Sequence, residues 1–116
     1  MYFDFEFYQK RALETDGSGE SNMGGLSPKW LYHAMGLSDE VGEVLGKIKK
    51  IFRDKGGRID RDEVDAIILE MGDVLWYMAT LCHHLGIDFS EVPKRNIQKL
   101  SSRAIRDKIH GSGDNR

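Results

Sequence analysis

Residues 64–82 are apolar on nearly every face of a helical wheel, with Asp65, Glu70 and Asp73 the only charges. The stretch has no proline, and Gly72 is its one helix-weakening residue, so the pattern predicts a helix. A helix that is apolar almost all round is a buried one. A buried carboxylate is costly unless a cation pairs with it. Glu70 and Asp73, three residues apart, share one face of that helix. Glu40 and Glu43 repeat the spacing in an earlier apolar segment, residues 34–51. Two inward-pointing acidic pairs on two helices make a set of hard oxygen ligands, and that chemistry points first to a metal site.

The remaining pattern completes an all-α chain. A first helix is predicted over residues 3–15, where Phe3, Phe7 and Leu13 recur at roughly helical spacing. Residues 16–25 are rich in glycine and serine, lack periodicity and read as a loop. Ser27 and Pro28 then suit an N-cap and a first helical position. The second helix is expected to run to about residue 52 with a bend near Gly36, and Gly56 and Gly57 suit its stop. A third begins near Asp60 and stops at Gly86. Ser90 caps a fourth, in which Pro93 is early enough to be tolerated and Val92, Ile97, Leu100 and Ile105 are the apolar positions. No strand pattern competes. The expected architecture is a four-to-five-helix antiparallel bundle over residues 1–105, followed by a flexible C-terminal tail at 106–116. The third helix carries more apolar surface than so short a chain can cover, which predicts a homodimer or a dimer of dimers. Gly42, Gly46 and Gly72 each cost about 1 kcal/mol relative to alanine in a helix, so close approach of another backbone is expected beside them.

Composition narrows the function classes. The 116 residues suffice for one domain and one core. A formal net charge of -2, with both signs interspersed, gives no support for a nucleic-acid partner. The single cysteine, Cys82, excludes an intrachain disulfide framework and fits a reducing compartment. The opening residues lack the basic and apolar regions of a secretory signal, and no apolar run reaches the about 20 residues of a membrane span. The expectation is a cytoplasmic protein with no membrane partner.

On the second helix Glu40, Glu43, Lys47 and Lys50 fall on one stripe, while Leu37, Val41, Val44, Leu45 and Ile48 form an apolar one. On the third, Glu63, Glu70, Asp73 and Tyr77 fall together. If the two charged stripes face each other, four carboxylates converge with lysines one and two turns away. Oxygen-only ligation favours Mg²⁺, with Mn²⁺ as the alternative, over zinc. Mg²⁺ shares itself readily with substrate phosphates, which favours attack of water on a phosphoryl centre. A di-iron bundle would need histidine three residues after glutamate, and neither motif has it.

Asp39-Glu40-Val41-Gly42-Glu43 followed by Glu70-Met71-Gly72-Asp73-Val74-Leu75-Trp76-Tyr77 resembles the paired acidic signature of the MazG-like, all-α nucleoside triphosphate pyrophosphohydrolases. Tyr8-Gln9 with Ala12 and Thr15 resembles the family's opening helix, and His33-Ala34-Met35-Gly36-Leu37 its lead-in. Asn96-Ile97-Gln98-Lys99-Leu100 and Arg103 resemble its closing element. The resemblance covers roughly residues 5–103. It implies hydrolysis of (deoxy)nucleoside triphosphates to monophosphate and pyrophosphate, as house-cleaning of non-standard or excess nucleotides. It further implies that Glu40, Glu43, Glu70 and Asp73 hold Mg²⁺, with Glu40 or Glu43 activating water. Tyr77, Asn96, Lys99 and Arg103 would meet the substrate. Lys50 is a further candidate substrate contact.

Each motif has a plainer reading. Glu40 and Glu43 could be a solvated face, with Glu43 and Lys47 an ordinary i, i+4 pair. Trp30 and Trp76 read as core or interface aromatics before base-stacking platforms. Cys82-His83-His84 fits no zinc spacing and reads as core and surface residues. Gly17-Ser18-Gly19 completes no phosphate-binding loop. Two rivals stand beside the leading reading: a hydrolase of another nucleotide, such as a guanosine polyphosphate, and a non-catalytic helical dimerisation module with residual metal binding.

Overall fold

The computed structural model describes residues 2–17, 29–106 and 110–114. Ser27, Pro28 and most of the glycine-rich loop lie outside them. Among the described residues there are four helices and no strand: α1 Phe5–Leu13, α2 Lys29–Lys55, α3 Arg61–His84 and α4 Glu91–Ile105.

Local chemistry sets most of the boundaries. Asp4 caps α1 by accepting the Phe7 amide at 2.8 Å. At the end of α2, Gly56 and Gly57 take φ of 62° and 87°, the left-handed conformation that glycine enters without steric cost. The Gly57 amide then returns to the Ile51 carbonyl at 3.3 Å, and the helix stops there, three residues later than expected. Asp60 and Glu63 form a reciprocal capping box at the start of α3. Lys55 bridges the turn, 2.9 Å from Asp60 and 2.6 Å from Glu63. Ser90 precedes α4 as expected, but its side chain makes no capping hydrogen bond because its backbone is already helical.

The long helices α2 and α3 form the main antiparallel pair, and α1 lies on the C-terminal half of α3. The buried core is Ala12, Ala79, Cys82 and Phe89, with Tyr8, Leu75, Trp76 and Met78 packed against it. Gln9 ties α1 to the turn before α4. Its amide nitrogen donates to the Ala79 and Ile87 carbonyls (3.1 and 3.0 Å), and its oxygen accepts from the Phe89 amide at 3.1 Å. Trp76 donates through Nε1 to Thr15 Oγ1 at 2.8 Å, so its role here is to hold the end of α1.

The surplus apolar surface expected on α3 is real. Leu69 is 72% exposed, with Ile68 and Met71 beside it, and α2 adds Leu45 (60%) and Phe52 (74%). On α2, Glu40 and Lys47 of the charged stripe are half-buried against α3 while Glu43 and Lys50 are exposed, and Val41, Leu45 and Ile48 of the apolar stripe face outward. Among the described residues the room expected beside Gly42, Gly46 and Gly72 is unused, since a Cβ at any of them would meet no atom within 4 Å. Helix packing does require glycine at Gly36, where a Cβ would overlap the Tyr77 ring.

Candidate functional site

The seam between α2 and α3 is a ladder of polar pairs. From its closed end, Lys55 meets Glu63 and Lys47 meets Glu70 (3.2 Å). Then Glu40 meets Asp73 and Glu70, Gly36 meets Tyr77, and His33 meets His84, with ring centroids 4.4 Å apart. Antiparallel helices with side chains repeating every seven residues produce such a ladder, because each rung recurs after two turns.

Glu40, Glu70 and Asp73 form its centre: one carboxylate oxygen from each lies within 4.8 Å of the others. Glu43 is exposed and outside this group. One turn from Glu40 on the same stripe, it points past α3 because α2 and α3 meet along positions 40, 44, 47 and 51. Burial of the Glu40 carboxyl, then the charges of Asp73, Asp39, Glu70 and Glu43, push its pKa up from the ordinary glutamate value. Such crowding of carboxylates disfavours the ionised form until a cation offsets it. Lys47 supplies part of that charge to Glu70. The donor set, oxygens alone from three carboxylates, fits a hard divalent ion.

Aromatic hydroxyls rim the group. Tyr77 packs on Gly36 beside Tyr32; burial, then Tyr32, then Glu40 and Asp39 raise its pKa. Tyr8 reaches in from α1 and donates to the Gly72 carbonyl at 3.4 Å, its pKa raised by burial and then by Asp73. Toward the closed end, Lys47, Lys50 and Lys55 line a cavity of about 250 Å³ together with Ile51, Asp54 and Glu63. Lys50, one turn beyond Lys47, is exposed in that lining.

The α4 candidates lie apart from this ladder in the single chain. Arg103 is only 3% exposed, and its guanidinium donates to the Gly113 and Asp114 carbonyls and to Asp114 Oδ1 (3.3, 3.1 and 3.1 Å). Lys99 joins the same Asp114 oxygen at 3.1 Å. Asn96 is exposed beside Lys99 on the same helix face. Residues 110–114 thus return to α4, and Asp114 occupies the cationic pair.

A family model, the MazG nucleotide pyrophosphohydrolase domain, matches residues 32–105. The chain belongs to that family. The match spans α2, α3 and α4 and includes every carboxylate of the ladder, and the fold is the all-α one of MazG domains. The chain is also 44% identical over 115 residues to the Gene 37 protein of Mycobacterium phage L5, covering 96% of this chain and 97% of that one. No solved structure matches. No described helix is long and apolar enough to cross a membrane.

Five residues of this neighbourhood were not among the site residues expected from sequence: Tyr8 and Tyr32 at the rim, and Asp16, His33 and His84 at the open end. The histidines carried a signal. His33, Glu40 and Lys47 are seven apart, and so are Glu63, Glu70, Tyr77 and His84. Both histidines are therefore in phase with the acidic ladder. Cys82 sits in the core and His83 is exposed, so the three adjacent residues of 82–84 have three separate fates.

Proposed function

We propose that this MazG domain hydrolyses (deoxy)nucleoside triphosphates between the α and β phosphates, releasing monophosphate and pyrophosphate, in the removal of non-standard or excess nucleotides. The observation that carries the reading is the convergence of Glu40, Glu70 and Asp73 between α2 and α3 in a chain of this family. These three would hold Mg²⁺, or Mn²⁺ in its place, with Glu43 as a fourth, outer acid. A bound Mg²⁺ supplies positive charge to the phosphate oxygens and makes a coordinated water more acidic.

The chain's own groups do the rest. Glu40, the member of the group that α2 contributes, accepts the proton of the attacking water. Lys47, paired with Glu70, and Lys50 line the cavity at the closed end of the ladder and offset charge on the departing pyrophosphate. Tyr77 bounds the opposite side and orients the sugar or the α-phosphate. Lys99 and Arg103, with Asn96 beside them, take the triphosphate in place of Asp114. A homodimer or dimer of dimers, built on the apolar faces of α2 and α3, brings α4 of one copy toward the ladder of another.

The test is a panel of ordinary and modified nucleoside triphosphates with Mg²⁺, resolving pyrophosphate from orthophosphate, beside Glu70→Ala. Pyrophosphate and monophosphate, lost in the variant, are the expected products. Orthophosphate would move the cut to the β–γ bond and sink the reading. No release from any substrate, guanosine polyphosphates included, would leave a non-catalytic helical module.

A further inference from the structure

The open end of the ladder holds a second cluster whose chemistry differs from the first. Asp16, just past α1, lies between His33 on α2 and His84 at the end of α3. His33 Nε2 is 3.2 Å from Asp16 Oδ1, and His84 Nε2 is 2.8 Å from Asp16 Oδ2. The side chain of His33 is fully buried, and those of Asp16 and His84 are 7% and 15% exposed.

The hydrogen bonds of His33 define a need. Its Nδ1 is 2.9 Å from the Lys29 carbonyl, which can only accept, so the proton of the neutral ring is at Nδ1. Nε2 then turns a lone pair toward a carboxylate oxygen. Two acceptors at that distance repel unless a cation lies between them. A proton shared between them would serve that one pair and leave His84, with its ring centroid 4.4 Å away, outside it. A divalent ion serves better, because it satisfies His33, His84 and Asp16 together.

We propose that Asp16, His33 and His84 form a structural site for a zinc-class transition-metal ion, separate from the oxygen-only Glu40–Glu70–Asp73 group. The donors are close enough to close on one ion: one ligand atom from each of the three residues lies within 4.8 Å of the others, where octahedral or tetrahedral coordination at bonds of about 2.0–2.2 Å wants neighbouring donors roughly 2.8–3.6 Å apart. The Lys29 carbonyl does what an outer hydrogen-bond acceptor does for a ligating histidine: it fixes the tautomer and the ring plane. Imidazole nitrogens select zinc-class ions, whereas carboxylates alone select magnesium. The two sites stand two turns apart on α2, about 10 Å along its axis, with Gly36 and Tyr77 between them. An ion at the outer site would tie the end of α1, the start of α2 and the end of α3 into one frame. The complete burial of His33 suits a tether and leaves no face for a substrate.

The experiment uses the full chain stripped of metal and held in excess Mg²⁺, which saturates the carboxylate site. Co²⁺ is titrated by visible absorption and then displaced with Zn²⁺, and thermal stability is followed with each ion. Wild type and Glu70→Gln are expected to bind one equivalent of Co²⁺ with nitrogen-ligand bands, to lose the bands to Zn²⁺, and to melt several degrees higher with Zn²⁺. His84→Gln and Asp16→Asn are expected to weaken binding at least tenfold. In wild type, the ¹⁵N resonances of two imidazoles should shift on adding Zn²⁺, a readout that survives if a variant does not fold. Absence of Co²⁺ binding or of imidazole shifts in wild type would leave a protonated His33–Asp16 pair and overturn the proposal. Binding retained in His84→Gln but lost in Glu70→Gln would assign the ion to the carboxylate group and overturn it equally.

Discussion

Replacing Glu40 with glutamine should stabilise the metal-free protein and destabilise the Mg²⁺-loaded one. The three carboxylate oxygens lie within 4.8 Å of one another. Glu70 already shares Lys47 at 3.2 Å, so Asp73 is the neighbour whose charge is least offset. Two unit charges at that separation repel by about 1 kcal/mol in a water-like dielectric and about 3.5 kcal/mol at an effective dielectric of 20. Glu40 is partly exposed, which favours the lower part of that range, about 1–2 kcal/mol. For a domain of this size that is a rise of roughly 4–10 °C in melting temperature with chelator present. The sign with pH follows from the raised pKa. The folded state holds the Glu40 proton more tightly than the unfolded state, so stability from this group is full below the unfolded value. It is lost as pH rises through the folded value. The advantage of Glu40→Gln in chelator should therefore shrink on acidification through the glutamate range. With Mg²⁺ the order reverses, because the variant has lost a ligand. The assay is thermal unfolding of both proteins in chelator and in Mg²⁺ across that pH range. A wild type more stable than Glu40→Gln in chelator at neutral pH would refute the account of the carboxylates as a strained group awaiting a cation.

Lys47→Met removes the cation that competes for Glu70, so Mg²⁺ affinity measured by calorimetry should rise several-fold while turnover falls; weaker Mg²⁺ binding would contradict the ladder. Gly36→Ala forces the Tyr77 ring from its place and should cost about 1–3 kcal/mol in denaturant melts. Gly42→Ala, which meets nothing within 4 Å among the described residues, should gain up to about 1 kcal/mol in a monomer, and a loss, read with the mass by light scattering, would put a second copy against it. Gln9→Ala strands the buried Phe89 amide and removes a donor from the Ala79 and Ile87 carbonyls, a loss of about 2–4 kcal/mol by chemical denaturation; a change below about 0.5 kcal/mol would show the α1 clamp to be idle.

Much of this molecule follows from local rules that the chain carries in plain view. Helix periods, the Asp60–Glu63 capping box, the Gly56-Gly57 stop and the i, i+3 acidic pairs depend on residues a turn apart, where spacing alone decides which side chains meet. The excess apolar surface of α3 was legible for the same reason, since composition counts it without needing a partner. Which stripe of α2 turns inward was not. Packing α2 on α3 along positions 40, 44, 47 and 51 admits Glu40, leaves Glu43 in solvent and turns Leu45 and Phe52 outward. Nor does any local spacing bring Asp16, His33 and His84 together, since they come from three elements and meet only when α1, α2 and α3 have docked. Sequence determined the helices and the acids, because those follow from neighbours a turn apart. The docking of three helices decided which acids converge and where two histidines find a carboxylate, because that depends on contacts between residues far apart in the chain.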